Sequence, residues 1–176
     1  QGAKAGCRVA VIERGIAVGG ECVQRGTVPS KTLRETAVAL ASFRQRSGNV
    51  FDVQMPEGTK ISSLLTRLDE VIHSHQAYIG DQLRRNGIDL IHGRARFLAP
   101  TEVEVTSVQG SRRRLTASTI VIAVGSTPRT PPNVPIDHEN ILDSDSILSL
   151  QYLPRSLTVL GSGVILTGSV TVYDLP

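Results

Sequence analysis

Tryptophan is absent from the 176 residues, and aromatic residues together make up only 3%. Single-stranded nucleic acid is held on aromatic platforms, so the composition argues against that class of binder. Two cysteines, Cys7 and Cys22, make neither a disulfide framework nor a metal quartet. No apolar run approaches the ~18–20 residues that span a bilayer. The opening Gln1-Gly2-Ala3-Lys4-Ala5-Gly6 has no apolar signal region and no cleavage site. The expectation is a cytoplasmic protein with no membrane partner. Net charge is also small. Nineteen basic and sixteen acidic side chains leave +3, too dispersed to imply nucleic acid. The one dense basic run, Arg112, Arg113 and Arg114, lies between β-like segments and is expected to be a solvated hairpin turn rather than a phosphate-binding patch.

What remains is ordinary globular composition, 40% apolar and 20% charged, long enough for one domain or one and a fraction. After Gly6, the stretch Val9-Ala10-Val11-Ile12-Glu13 is a continuous apolar run ending in an acid, as in a parallel strand covered on two faces. Glycines at 15, 19, 20 and 26 predict a loop over 15–26. Pro29 then opens a helix where a missing N–H costs nothing, with Leu33, Ala37, Leu40 and Ala41 on its buried stripe and Gly48-Asn49 at its end. A second helix is marked by Ile61, Leu64, Leu65, Leu68, Val71, Ile72, Ile79 and Leu83 at three-to-four spacing, stopping at Asn86-Gly87. His73 and His75 fall near its polar edge and are expected to be solvated, not metal ligands.

From Ile88 the period changes to two. Strands are expected at 89–92, 95–98, 103–106 and 119–123, then an extended connection over 127–135 with four prolines. Asp143-Ser144-Asp145-Ser146 caps a short helix through Leu150, and a new strand over 157–160 runs into Gly161-Ser162-Gly163. Strand-to-helix alternation with a small antiparallel insert indicates an α/β chain with a mainly parallel sheet.

The segment Val18-Gly19-Gly20-Glu21-Cys22-Val23-Gln24-Arg25-Gly26-Thr27-Val28-Pro29-Ser30-Lys31 resembles the flavin-facing segment of the pyridine nucleotide–disulfide oxidoreductases. Their pattern is Gly-Gly-x-Cys, four residues, a second Cys, then x-Pro-Ser-Lys. Here the second cysteine is replaced by Thr27. A branch of that family with Thr at this position is the soluble, Si-specific transhydrogenases, which Arg94-Ala95-Arg96-Phe97 and residues 143–149 also resemble. A disulfide relay needs two sulfurs with Cβ atoms ~3.8 Å apart, and Thr27 has none to offer.

The resemblance implies a Rossmann-like FAD/NAD(P)-binding fold and hydride exchange between NADPH and NAD⁺ by way of FAD, in a cytoplasmic homodimer. Its site residues fall here on Glu13, which accepts from ribose hydroxyls, and on Gly19, Gly20 and Glu21, where the backbone approaches the cofactor. Cys22 and Thr27 lie under the flavin, with Cys22 expected to be small, buried and inert rather than reactive. Lys31 brings a positive charge near flavin N5, from the first turn of its helix, where the dipole disfavours it. Ala95 sits beside the adenine, and Val124-Gly125-Ser126 matches a cofactor-contacting turn with Val124 in place of a threonine. Gly161, Gly163, Val164 and Ile165 begin a second fingerprint, for NAD(P) pyrophosphate.

The fingerprint then departs from the pattern. Leu166 stands where a third glycine belongs and Gly168 where the acid partner of Lys31 belongs. The expectation is a missing helix after Ile165, with 169–174 as the next strand and Asp174 in the ribose-binding position. Residues 1–150 are thus expected to form an FAD domain lacking its first strand and Gly-rich loop, and 151–176 the opening of an NAD(P) domain. Two other readings stay open: a divergent NAD(P)H dehydrogenase or diaphorase passing electrons to a quinone or dye, or a dihydrolipoamide dehydrogenase-like flavoprotein, and, from another class, an inactive fragment that binds nothing tightly.

Overall fold

The computed structural model describes residues 1–47, 61–150, 154 and 156–161. The chain divides into two units, Gln1–Gly20 with Ser74–Gly125, and Glu21–His73 with Ser126–Pro176.

In the first unit a short 3-10 turn, Ala3–Ala5, closes on Gly6. Strand β1, Ala10–Glu13, follows. It pairs in parallel with β2, Asp89–His92, in the register Ala10 to Asp89 through Glu13 to His92. The expected parallel sheet is therefore present, although Ala10 is exposed and the other three β1 residues only half-buried. Strands β3, Arg94–Ala99, β4, Glu102–Thr106, and β5, Arg112–Thr116, form an antiparallel meander with β4 central. Val103 and Val105 of β4 are buried, with Phe97 and Leu115 flanking Val103 in register. The register slips between Phe97 and Ala99.

Two expectations fail here. Residues 112–114 are not a turn but the first half of β5; the turn is tighter, closed by Ser107 N–H to the Ser111 carbonyl at 2.9 Å. All three arginines are exposed, and Arg114 lies 3.7 Å from Glu102 on β4. Residues 119–123 form no strand, and Val121 and Ile122 are exposed.

Gly93 joins the two sheets. Its N–H donates to the Glu13 carbonyl at 2.9 Å, and a Cβ there would stand 2.6 Å from the Thr106 carbonyl oxygen. No L-side chain fits that approach, so the chain can pass directly from β2 into β3 only with glycine at this position.

In the second unit the stretch expected as loop contains a helix, α1, Gly20–Gln24, with Val23 buried. Helix α2, Thr27–Ser47, starts two residues before Pro29, which is fully buried; Leu33 and Ala37 are buried with it. Helix α3 spans Ile61–Arg85, and the boundary between the units passes through it. Leu68 is buried and Leu65, Val71, Ile72, Ile79 and Leu83 half-buried, while His73 and His75 are exposed. Its end is as expected, with Ile88 N–H donating to the Leu83 carbonyl at 3.0 Å and Gly87 at φ 62°. A 3-10 turn, Ser146–Ser149, precedes the buried Leu150. Residues 157–160 form no strand. The expected helix end at Gly48-Asn49 and everything from 162 onward, with the proposed break after Ile165 and the 169–174 strand, lie outside the described residues.

Candidate functional site

The first unit holds Glu13, Gly19, Gly20, Ala95, Val124 and Gly125. Glu13 ends β1 half-buried, and its Oε1 accepts the Gly15 N–H at 2.7 Å. That bond fixes the carboxylate's direction and leaves its second oxygen for another donor. Across the register His92 lies 3.1 Å by Nδ1 from the Gly15 carbonyl. A carbonyl only accepts, so Nδ1 carries the hydrogen in this contact. Glu13 and His92 thus hold residue Gly15 by its N–H and its carbonyl respectively. Gly19 and Gly20 follow at φ 118° and 57°, conformations that a β-carbon disfavours. Gly125 has φ 73°, and Val124 before it is 90% exposed. Ala95 is exposed on β3, two residues past the Gly93 contact with Glu13.

The second unit holds Glu21, Cys22, Thr27, Lys31 and Ser126. The Glu21 carbonyl closes α1 by accepting two N–H groups, Arg25 at 3.0 Å and Gly26 at 2.6 Å. The Gly26 carbonyl then accepts from Ser30 at 3.1 Å as α2 begins. One tight corner thus separates Cys22 on α1 from Thr27, the first residue of α2. Cys22 is exposed and free, and so is Cys7. The expectation that Cys22 is buried is not met: the residue is exposed, while Val23 takes the buried place. Lys31 is exposed, and because α2 starts at Thr27 it stands beyond the first turn. The dipole penalty expected for it is correspondingly weaker.

Arg25 donates to Asp145 Oδ2 at 3.3 Å, tying the α1–α2 corner to residues 143–146. Asp143 orders that segment. Its Oδ1 accepts from the Asp145 and Ser146 N–H groups at 3.1 and 2.8 Å and from the Ser146 hydroxyl at 2.7 Å. Burial pushes the Asp143 carboxyl up, but these bonds and the His138 charge leave it lowered overall. Sequence reasoning had seen the cap and missed the ion pair, since nothing local links positions 120 residues apart. Ser126 is exposed, Gly161 is the last described residue at φ 119°, and Gly163, Val164 and Ile165 lie outside the described residues. Among the described residues no group of three His, Cys, Asp or Glu could hold a metal ion, and no helix is long and apolar enough to cross a membrane.

Residues 1–167 match the family model described as pyridine nucleotide-disulphide oxidoreductase. Over 164 residues the chain is 40% identical to the soluble pyridine nucleotide transhydrogenase of Mycobacterium tuberculosis (strain ATCC 25177 / H37Ra), covering 93% of this chain and 35% of that protein. The Marinomonas sp. (strain MWYL1) protein of the same name is 39% identical over 164 residues, with the same coverage. Among solved structures, the HOCl-induced flavoprotein disulfide reductase RclA from Escherichia coli matches with a TM-score of 0.77 at 27% identity, covering 97% of this chain and 35% of that one. LpdA from Mycobacterium tuberculosis matches with a TM-score of 0.71 at 25% identity, covering 84% and 32%. The chain spans about a third of the length of these relatives.

Proposed function

The chain belongs to the pyridine nucleotide-disulphide oxidoreductase family, and from that premise we propose that it serves a transhydrogenase exchanging hydride between NADPH and NAD⁺ through FAD, with Si specificity, in a cytoplasmic homodimer. Bound FAD supplies the hydride acceptor and donor. Everything else falls to the polypeptide. Glu13, its carboxylate already oriented by Gly15 N–H, accepts from ribose hydroxyls. Gly19, Gly20 and, within the Val124-Gly125-Ser126 turn, Gly125 offer backbone at positive φ, where a cofactor can lie close without meeting a β-carbon. Ala95 borders the adenine and Glu21 closes the segment. Lys31 contributes a positive charge toward the electron-rich reduced ring. Residues 1–150 constitute the FAD-binding part, and 151–176, with Gly161, Gly163, Val164 and Ile165, open the part that takes the nicotinamide dinucleotide.

The observation that carries this reading is Thr27. It stands across one tight corner from Cys22, in the place of the family's second sulfur, so no dithiol can form there. Electrons that enter as hydride have no thiol route out and return to a nicotinamide. Two relatives 39–40% identical to this chain are named soluble pyridine nucleotide transhydrogenase, which supports the reading.

The test uses the full-length protein that contains this chain. NADPH should reduce an NAD⁺ analogue with ping-pong kinetics, and Cys22→Ser or alkylation should leave most of that rate intact. Lipoamide reduction should be negligible. Robust lipoamide reduction abolished by alkylation would remove the assignment, and a quinone or dye reduced far faster than NAD⁺ would replace it with a diaphorase. Thr27→Cys restores the two-sulfur spacing and should introduce a charge-transfer band on partial reduction. The 176 residues alone should bind FAD weakly and turn over neither nucleotide. A yellow protein with stoichiometric flavin would contradict this.

A further inference from the structure

We propose that the end of the meander bearing Arg94, Thr106 and Arg112 is a binding site for a phosphate group, built from residues that the dinucleotide assignments do not use. The ladder registers place Arg94, Thr106 and Arg112 side by side in one row, and Arg96, Glu104 and Arg114 in a second. Directly opposed residues of antiparallel strands share a face, as do residues two apart on one strand. All six side chains therefore project from the same side of the sheet. Four guanidinium groups meet two carboxylates there, counting Glu102 on the same face.

Both carboxylates are committed. Glu104, itself buried, accepts from Arg96 at 2.8 Å, and Glu102 lies 3.7 Å from Arg114. Arg94 and Arg112 are exposed and have no ion pair or side-chain hydrogen bond among the described residues. The uncompensated charge is thus confined to one row, with the Thr106 hydroxyl between its two cations.

The row is also held in place. Gly93, immediately before Arg94, packs its backbone against the Thr106 carbonyl so closely that no β-carbon fits. Strands lie ~4.8 Å apart, so the Cα atoms of Arg94 and Arg112 stand roughly 10 Å apart across β4. Two long guanidinium arms can close over Thr106 from that separation. Each fork offers paired N–H donors to adjacent oxygens of one anion. A phosphate, with up to two charges and several acceptor oxygens, can satisfy both forks and the hydroxyl together, whereas a carboxylate has two oxygens and one charge. Nucleic acid fits less well, because Phe97, the aromatic residue of the meander, registers in the row of Val103 and Leu115 on the other face.

The test titrates the chain with inorganic phosphate at constant ionic strength, chloride making up the balance, and follows backbone amide resonances. Saturable shifts centred on residues 94, 106 and 112 are expected. Arg94→Gln and Arg112→Gln should each weaken binding about tenfold or more, and Arg94→Lys, which keeps the charge but loses the fork, should fall between. Arg113→Gln, on the opposite face, should bind as the parent does. Ribose 5-phosphate and ribose distinguish the source of the anion. Tighter binding of the ester than of phosphate identifies a phosphomonoester, and equal or weaker binding identifies free phosphate. Ribose alone giving the same shifts would overturn the proposal. So would equal shifts from chloride, or unchanged affinity in both glutamine variants with circular dichroism showing them folded. None of these readouts involves flavin, so the outcome is independent of the transhydrogenase reading.

Discussion

Residues 10–13, Ala-Val-Ile-Glu, and residues 119–123, Thr-Ile-Val-Ile-Ala, look alike as sequence, and the second has the higher β-propensity. Only the first is a strand. Val11 and Ile12 are half-buried and paired with Leu90 and Ile91, whereas Val121 is 82% and Ile122 68% exposed, with no ladder partner among the described residues. β-Branching makes a segment fit a pleated surface but does not provide one. The first run acquired its partner because Gly93 turns the chain under Glu13 and holds β2 alongside.

The largest effect should come from breaking that junction. Gly93→Ala places a methyl group against a backbone carbonyl, which neither sheet can accommodate without moving. A loss of about 3 kcal/mol or more is expected in urea unfolding. A loss under about 1 kcal/mol would mean the close approach is not rigid.

The contrast itself is sharpened by matched truncations. Val105→Ala, at a side chain only 2% exposed, should cost about 2 kcal/mol, while Val121→Ala should stay within about 0.5 kcal/mol. Equal costs at the two sites would show that residues 119–123 are packed in solution. Hydrogen exchange offers a second measure: amides of β1 should be protected and those of 120–124 not.

A smaller effect should appear with pH in the irregular segment after Gly125. Asp137 Oδ1 accepts from the N–H groups of Ile141, Glu139 and Asn140, at 2.8, 2.9 and 2.8 Å, and these lower its pKa to about 2. A folded pKa below the unfolded 3.8 gives a contribution that is complete above that value and is lost as pH falls toward 2. Amide resonances of 139–141 should shift over that range, and Asp137→Asn should abolish the titration. Smallest of all, His138 adopts φ 62° without being glycine. His138→Gly should raise stability by about 0.5 kcal/mol, the relief of left-handed strain partly offset by unfolded-chain entropy.

Much of this fold could be read from the chain because it is written in local terms. The stop of α3 at Asn86-Gly87, the alternation of β4 and the apolar run of β1 each combine a periodic pattern with a chemical boundary. The errors arose where a segment's state depends on something distant. Arg112, Arg113 and Arg114 suggest a turn until Thr106, Val105 and Glu104 of β4 are placed beside them. Gly19 and Gly20 suggest loop, yet Gly20 opens a helix because Val23 has a buried place to fill. For the site, the positive φ values at Gly19, Gly20 and Gly125 follow from glycine's own chemistry. The exposure of Cys22 does not, since it is set by what Val23 packs against.

The arginines of β5 have one more consequence, for the company the protein keeps while folding. β5 is an edge strand, and an edge offers unpaired N–H and C=O groups to any passing strand. Three consecutive cations there mean that a second copy attempting to extend the meander through the same edge must bring its own three alongside. The opposite edge, β3, carries Arg94 and Arg96. A sheet so bordered resists growing by accretion, and newly made chains are deterred from joining edge to edge before their own cores have closed.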